Sequence, residues 1–192
     1  MKRFGFHIIY LITLACLHFA GEASAEDALA FETPEWRNIE SQYCTIRYRP
    51  EVDLKKINRK IDLTFFDFNP QYYKVKVEEV EQKLAEKFDR LFERVQQILD
   101  MFPRKIHINV AIYEDQQQLD DCYYQLFGPS SKQRISYYVH KYTTIYTTES
   151  AISEEVLAHE IAHAIIDHYF LILPPEKIKE LLAQYVEFHL ED

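Results

Sequence analysis

Residues 156–165 read Val-Leu-Ala-His-Glu-Ile-Ala-His-Ala-Ile, which contains the spacing His159-Glu160-x-x-His163. On a helix, a four-residue interval stacks two imidazoles one turn apart on one face. Two ring nitrogens can then reach a single metal ion, with the carboxylate of Glu160 beside it as a base. At about 100° per residue, His159, Glu160, His163 and Asp167 fall in one wedge roughly 100° wide. Leu157, Ala158, Ile161, Ala162, Ala164, Ile165 and Ile166 cover the remainder. A helix that is apolar nearly all round is buried, and each buried polar group costs about 1–3 kcal/mol unless it finds a partner. A metal ion partners two histidines at once; a hydrogen-bonded network of core histidines is the alternative. Glu154 and Glu155, after Ser153, suit a helix start through capping and the macrodipole. His168 points roughly opposite the wedge.

A metal centre that does chemistry needs a third protein ligand and a position open to water. Downstream, Pro174-Pro175 can open a second helix. In it, Ile178, Leu181, Leu182 and Tyr185 form the apolar stripe, and Glu176, Glu180, Gln184 and Glu187 lie on the other side. A solvated acidic face has the same pattern, so periodicity does not choose among these carboxylates. Asp167, one turn after His163, is a second candidate for the third ligand, or for a hydrogen-bond partner of the site. Gln184, one turn after Glu180, is placed to orient a ligating histidine through its other ring nitrogen.

The two segments, His-Glu-Ile-Ala-His at 159–163 and Pro-Pro-Glu-Lys-Ile-Lys-Glu-Leu-Leu-Ala-Gln-Tyr at 174–185, resemble the thermolysin-like gluzincin metallopeptidases. More narrowly, they are similar to secreted bacterial members whose third ligand lies in a P-x-W-L-x-E-G-x-A-x-Y segment. Lys177 stands where that pattern has Trp, and Leu181 where it has Gly. The resemblance implies one Zn²⁺ per chain held by His159, His163 and Glu180, with Glu160 as general base in the hydrolysis of a peptide or protein substrate. It also implies that an extended substrate pairs with a sheet edge, for which 137–139 and 143–147 are the candidates. Larger relatives carry a further domain that closes the cleft and supplies a His or Tyr to the developing oxyanion. The sequence here runs 12 residues past Glu180, so the expectation is an open cleft or one completed by a partner molecule. Tyr142, Tyr169 and Tyr185 are candidate oxyanion donors by residue type. The rival reading is a catalytically inactive, zinc-stabilised binding module on the same scaffold.

These side chains need a frame. Alternation at 43–48 and an apolar run at 106–113 predict two strands. Between them, 75–101 carries Val80, Leu84, Phe88, Leu91, Phe92, Val95 and Leu99 at helical spacing, a long amphipathic helix ended by Pro103. Segments 137–139 and 143–147 predict a hairpin; 54–61 reads as a short helix and 63–66 as a strand. The resulting fold class is α+β. A small mixed or antiparallel sheet packs against the long helix and the His-Glu-x-x-His helix, and a C-terminal helix carries the third ligand.

The 192 residues and 23.0 kDa, with 47% apolar residues, 15% aromatics and only three glycines, suit one core and exclude collagen-like and disordered classes. A formal charge of -9 repels phosphate backbones and anionic headgroups, which argues against nucleic acid as a partner. Lys2 and Arg3, an apolar stretch and Ala23-Ser24-Ala25 read as a signal peptide over 1–25, hence a secreted or periplasmic protein with a single domain over 26–192 and no stable membrane span after cleavage. Thr13 disfavours lipid anchoring at Cys16. Pairing of the two remaining cysteines, Cys44 and Cys122, stays open.

Overall fold

The computed structural model describes residues 36–61, 80–130 and 133–192. The signal segment 1–25 and the strand expected at 63–66 lie outside them. Two short strands, β1 (Arg37–Glu40) and β2 (Cys44–Tyr48), form an antiparallel hairpin. In β2, Cys44, Ile46 and Tyr48 are buried and Thr45 and Arg47 half-exposed, the period of two expected of a strand covered on one face. Asp53 caps α1 (Leu54–Lys60) by accepting the amides of Lys55 and Lys56.

The long helix α2 (Val80–Leu99) buries Leu84, Phe88, Leu91, Phe92 and Val95, so the helical periodicity is borne out over the described part. It ends before Pro103. Asp100 adopts a left-handed conformation at φ 51°, and the Met101 amide reaches back to the Gln96 carbonyl at 3.0 Å, closing the last turn. From its middle, Asp89 accepts the amides of Gln42 and Tyr43, both at 3.0 Å, and pins the β1–β2 turn to the helix.

Strand β3 (Ile108–Tyr113) is central and parallel to β2. It leads to α3 (Gln116–Phe127), capped by Asp115 and ended at Gly128, whose φ of 78° suits a residue without Cβ. Strands β4 (Ser136–Val139) and β5 (Thr144–Thr148) make the expected hairpin, with β5 parallel to β3, giving a five-stranded mixed sheet in the order β1-β2-β3-β5-β4. Helices α4 (Glu154–Tyr169) and α5 (Glu176–Phe188) close the chain. The fold is α+β.

The sheet carries a core on each face. Ile46, Val110 and Ile145 pack beneath α2, α4 and α5, whereas Ala111, Tyr113 and Tyr146 pack with Leu119 of α3. Cys44 belongs to the first core and Cys122 borders the second, and both are free thiols. Neither β1 nor α3 was anticipated from sequence. The C-terminal helix also departs from its expected orientation. Ala183 and Val186 face the core, while Ile178, Leu181 and Tyr185, read from sequence as the apolar stripe, are exposed. The helix is turned so that its acidic side meets α4.

Phe88 is fully buried in the larger core. Phe88→Ala is expected to lower unfolding free energy by about 3–5 kcal/mol, and Lys83→Ala on the exposed side of the same helix by less than about 0.5 kcal/mol. Denaturant titration of both variants checks this.

Candidate metal centre

Helix α4 starts at Ser153, whose hydroxyl accepts the Val156 amide at 3.3 Å, with Glu154 and Glu155 in the first turn. Its apolar residues are buried as the pattern requires: Leu157, Ala158, Ile161, Ala162, Ala164, Ile165 and Ile166. The polar wedge is directed at α5 and β4. His159 and His163 bring their Nε2 atoms to 3.1 Å from each other. The Glu180 carboxylate straddles the pair, Oε1 lying 3.7 Å from His159 Nε2 and Oε2 3.5 Å from His163 Nε2. One donor atom from each residue lies within 4.8 Å of the others.

These separations bear on whether a metal fits. Zinc bonds to nitrogen and oxygen are about 2.0–2.1 Å, so the edges of a tetrahedral ligand set are about 3.3–3.4 Å. The two Nε2 atoms are 3.1 Å apart, and each faces a different Glu180 oxygen at 3.7 or 3.5 Å, so closing the set on one carboxylate oxygen requires side-chain adjustment within a triangle whose atoms already lie within 4.8 Å. Two imidazoles and one carboxylate match the donor set of a zinc centre that keeps a fourth position for water. Burial, and then the neighbouring His159, hold the His163 imidazole below its ordinary pKa. That favours the neutral ring a metal requires.

Outside this triangle, the Glu187 carboxylate approaches His159 Nδ1 to 2.5 Å, close but not aligned as a hydrogen bond. Glu187, rather than Gln184, is therefore the residue that meets the far side of a candidate ligand. The Gln184 amide instead donates to Glu180 Oε1 at 3.2 Å. Asp167 does not join the triangle. Its buried carboxylate receives Lys179 Nζ at 3.2 Å and has His140 Nδ1 at 3.6 Å. Lys179 also pairs with Glu176 at 2.9 Å. His168 is turned back onto its own helix, Nδ1 lying 2.8 Å from the Ala164 carbonyl.

Glu160 is buried against the strand side of the wedge. Loss of water pushes its carboxyl up to about 8. The Tyr138 backbone amide and the Ser136 hydroxyl oppose that rise, and the negative charges of Glu180 and Glu187 add to it. The three groups Ser136, Tyr138 and Glu160 line a groove of about 440 Å³ along β4, together with His159, His163 and Glu180. Strand β4 is the last strand of the sheet, so one of its edges is unpaired among the described residues. The three tyrosines suggested as oxyanion donors are not among the described residues lining this groove. Tyr185 stacks on His189 on the outer side of α5, Tyr169 packs edge-on against Phe170, and Tyr142 joins the α3-side core.

No family model matches the chain, and no curated protein matches it either.

Two outcomes follow from the electrostatics. Glu187→Gln is expected to weaken zinc binding about 10- to 100-fold while leaving the fold intact, with Glu191→Gln unchanged; isothermal titration of both variants measures it. For Glu160, a folded-state pKa raised to about 8 means that its stabilising contribution is present below the unfolded value near 4.5 and is lost as pH rises through about 8. Metal-free protein should therefore lose thermal stability between about pH 5 and 8. Glu160→Gln should flatten that decline, as read by melting temperature against pH.

Proposed function

We propose that this chain is a secreted or periplasmic zinc-dependent peptidase of the thermolysin-like gluzincin kind. The observation that carries the reading is the convergence of His159, His163 and Glu180, with the buried Glu160 beside them, at the unpaired edge of β4. His159, His163 and Glu180 would hold the ion. A bound zinc ion supplies Lewis acidity, lowering the pKa of a water and polarising a peptide carbonyl.

The protein's own groups account for the rest. Glu160, as carboxylate, accepts a proton from the attacking water and passes it to the leaving amine; its low-dielectric setting makes it a stronger base than an exposed glutamate. Ser136, whose hydroxyl donates to the Tyr146 carbonyl at 3.2 Å, and Tyr138 line the groove beside Glu160. The edge of β4 that is unpaired among the described residues offers backbone N–H and C=O groups with which an extended peptide could pair along the groove, without demanding a particular side chain. Glu187 lies against His159 Nδ1, and the Gln184 amide donates to Glu180. The signal-like segment 1–25 supports export.

Protein loaded with one equivalent of zinc is expected to cleave unfolded peptides, and chelation should abolish the cleavage. Glu160→Gln should retain the zinc and reduce turnover at least about 100-fold. Elemental analysis and a fluorogenic peptide assay on the two proteins test both halves. Equal turnover in the variant would refute the role of Glu160. Zinc-bound wild type that cleaves no peptide would favour the zinc-stabilised binding module.

A further inference from the structure

Helix α5 has a second face that the metal centre does not use. Ile178, Leu181, Tyr185 and Phe188 recur on one side of the helix over almost three turns, roughly opposite the buried Ala183 and Val186. All four are exposed, Phe188 by 81%. The loop entering the helix adds Leu171 and Ile172, which are almost fully exposed. If a fully exposed large side chain offers about 150–200 Å², the four helix residues present roughly 400 Å² of apolar surface and the two loop residues roughly 300 Å² more, in the range of the largest apolar patches on soluble monomers, which are often functional.

The chemistry around the stripe narrows its occupant. The polar residues of the helix, Glu176, Lys177, Lys179, Glu180 and Glu187, are net acidic, as are Glu191 and Asp192 at the chain end, and the whole chain carries -9. Helices that lie in anionic membranes carry Lys and Arg on their polar face, the reverse of this arrangement. A standard two-protein interface buries about 800 Å² per partner, which the stripe approaches only when Leu171 and Ile172 of the preceding loop join it. The stripe is also complementary to itself. With two copies of α5 antiparallel, Leu181 meets the partner's Tyr185 and Ile178 meets the partner's Phe188. Lys177 then lies at the acidic end formed by the partner's Glu191 and the partner's Asp192.

We infer that the outer face of α5 is the two-fold interface of a homodimer, formed by antiparallel packing of this helix against the same helix of a second copy. The interface lies on the side of α5 away from Glu180 and Glu187, so dimerisation leaves the groove along β4 accessible. It does not depend on peptidase activity.

The test is a charge exchange across the two-fold axis. Purified protein is expected to have twice the chain mass by light scattering and sedimentation in the micromolar range. Leu181→Glu alone and Tyr185→Lys alone should each be monomeric, because a charge buried in the apolar stripe weakens association by more than about 100-fold. An equimolar mixture of the two variants should recover the dimer, since the glutamate of one copy then faces the lysine of the other. Circular dichroism and zinc stoichiometry, unchanged in both variants, establish that each is folded. Monomeric wild type at all these concentrations would overturn the proposal, as would variants that remain dimeric. A mixture that stays monomeric would overturn the antiparallel packing, and wild type that is monomeric until vesicles are added would assign the stripe to a lipid surface.

Discussion

Three ionisable side chains on a helix with buried apolar neighbours on every other side are the constraint that organises this molecule. His159, Glu160 and His163 lie on α4, whose other faces are sealed by the sheet and by α2. Polar groups in such a setting cost free energy unless partners are supplied. The fold supplies them from two directions. Helix α5 brings Glu180 and Glu187 to the imidazoles, and β4 lays Ser136 and Tyr138 beside Glu160 in the groove. The C-terminal helix is thus docked through its carboxylates as much as through Ala183 and Val186. That explains why its larger apolar residues turn outward: a helix has one inner face, and here the acidic residues occupy much of it.

The charge balance of the site points the same way. Glu160, Glu180 and Glu187 surround two imidazoles, of which His163 is driven toward its neutral form. Without a cation the cluster is anionic, and the raised pKa of Glu160 is partly a response to its acidic neighbours. Lys179 lines the same groove but is held by Asp167 and Glu176, at 3.2 and 2.9 Å, and so its charge is already matched. A divalent ion between the two Nε2 atoms and Glu180 would offset the excess negative charge where it is densest. Asp167, which by spacing alone competes with Glu180 as a ligand, is thereby assigned to anchoring Lys179.

How far the sequence carried this reading depends on how strongly each residue's environment is constrained. The His-Glu-x-x-His wedge was legible because an all-apolar remainder leaves a helix no choice but burial. The long stripe of α2 and the β4–β5 hairpin were legible for similar reasons of period. Strand β1, with the sequence Arg-Asn-Ile-Glu and only Ile39 buried, is an edge strand whose polar side chains conceal it. Helix α3 begins Gln-Gln-Gln-Leu-Asp-Asp and fully buries only Leu119, so its periodic signal is faint. Glu180 was reached through resemblance. The spacing points to Gln184 where the structure places Glu187 against His159, although both lie on the acidic side of α5. The choice turns on rotation of the helix about its axis, which is set by contacts with α4 that no local pattern encodes.

Strand β4 links these parts mechanically. Ser136 and Tyr138 point toward the α4 side of the sheet, while Tyr137 and Val139 point into the core beneath α3. A slip of one residue in the pairing of β4 with β5 would reverse the two sets. The slip would bring Tyr137 and Val139 toward Glu160 and place Ser136 in an apolar core. The stack of Tyr137 on Tyr146, with centroids 5.1 Å apart, and the edge-on packing of Tyr123 against Tyr137 at 5.2 Å fix that register from the far side of the sheet. The aromatic core under α3 therefore aligns Glu160 and the outer edge of β4 with each other from the opposite face of the sheet.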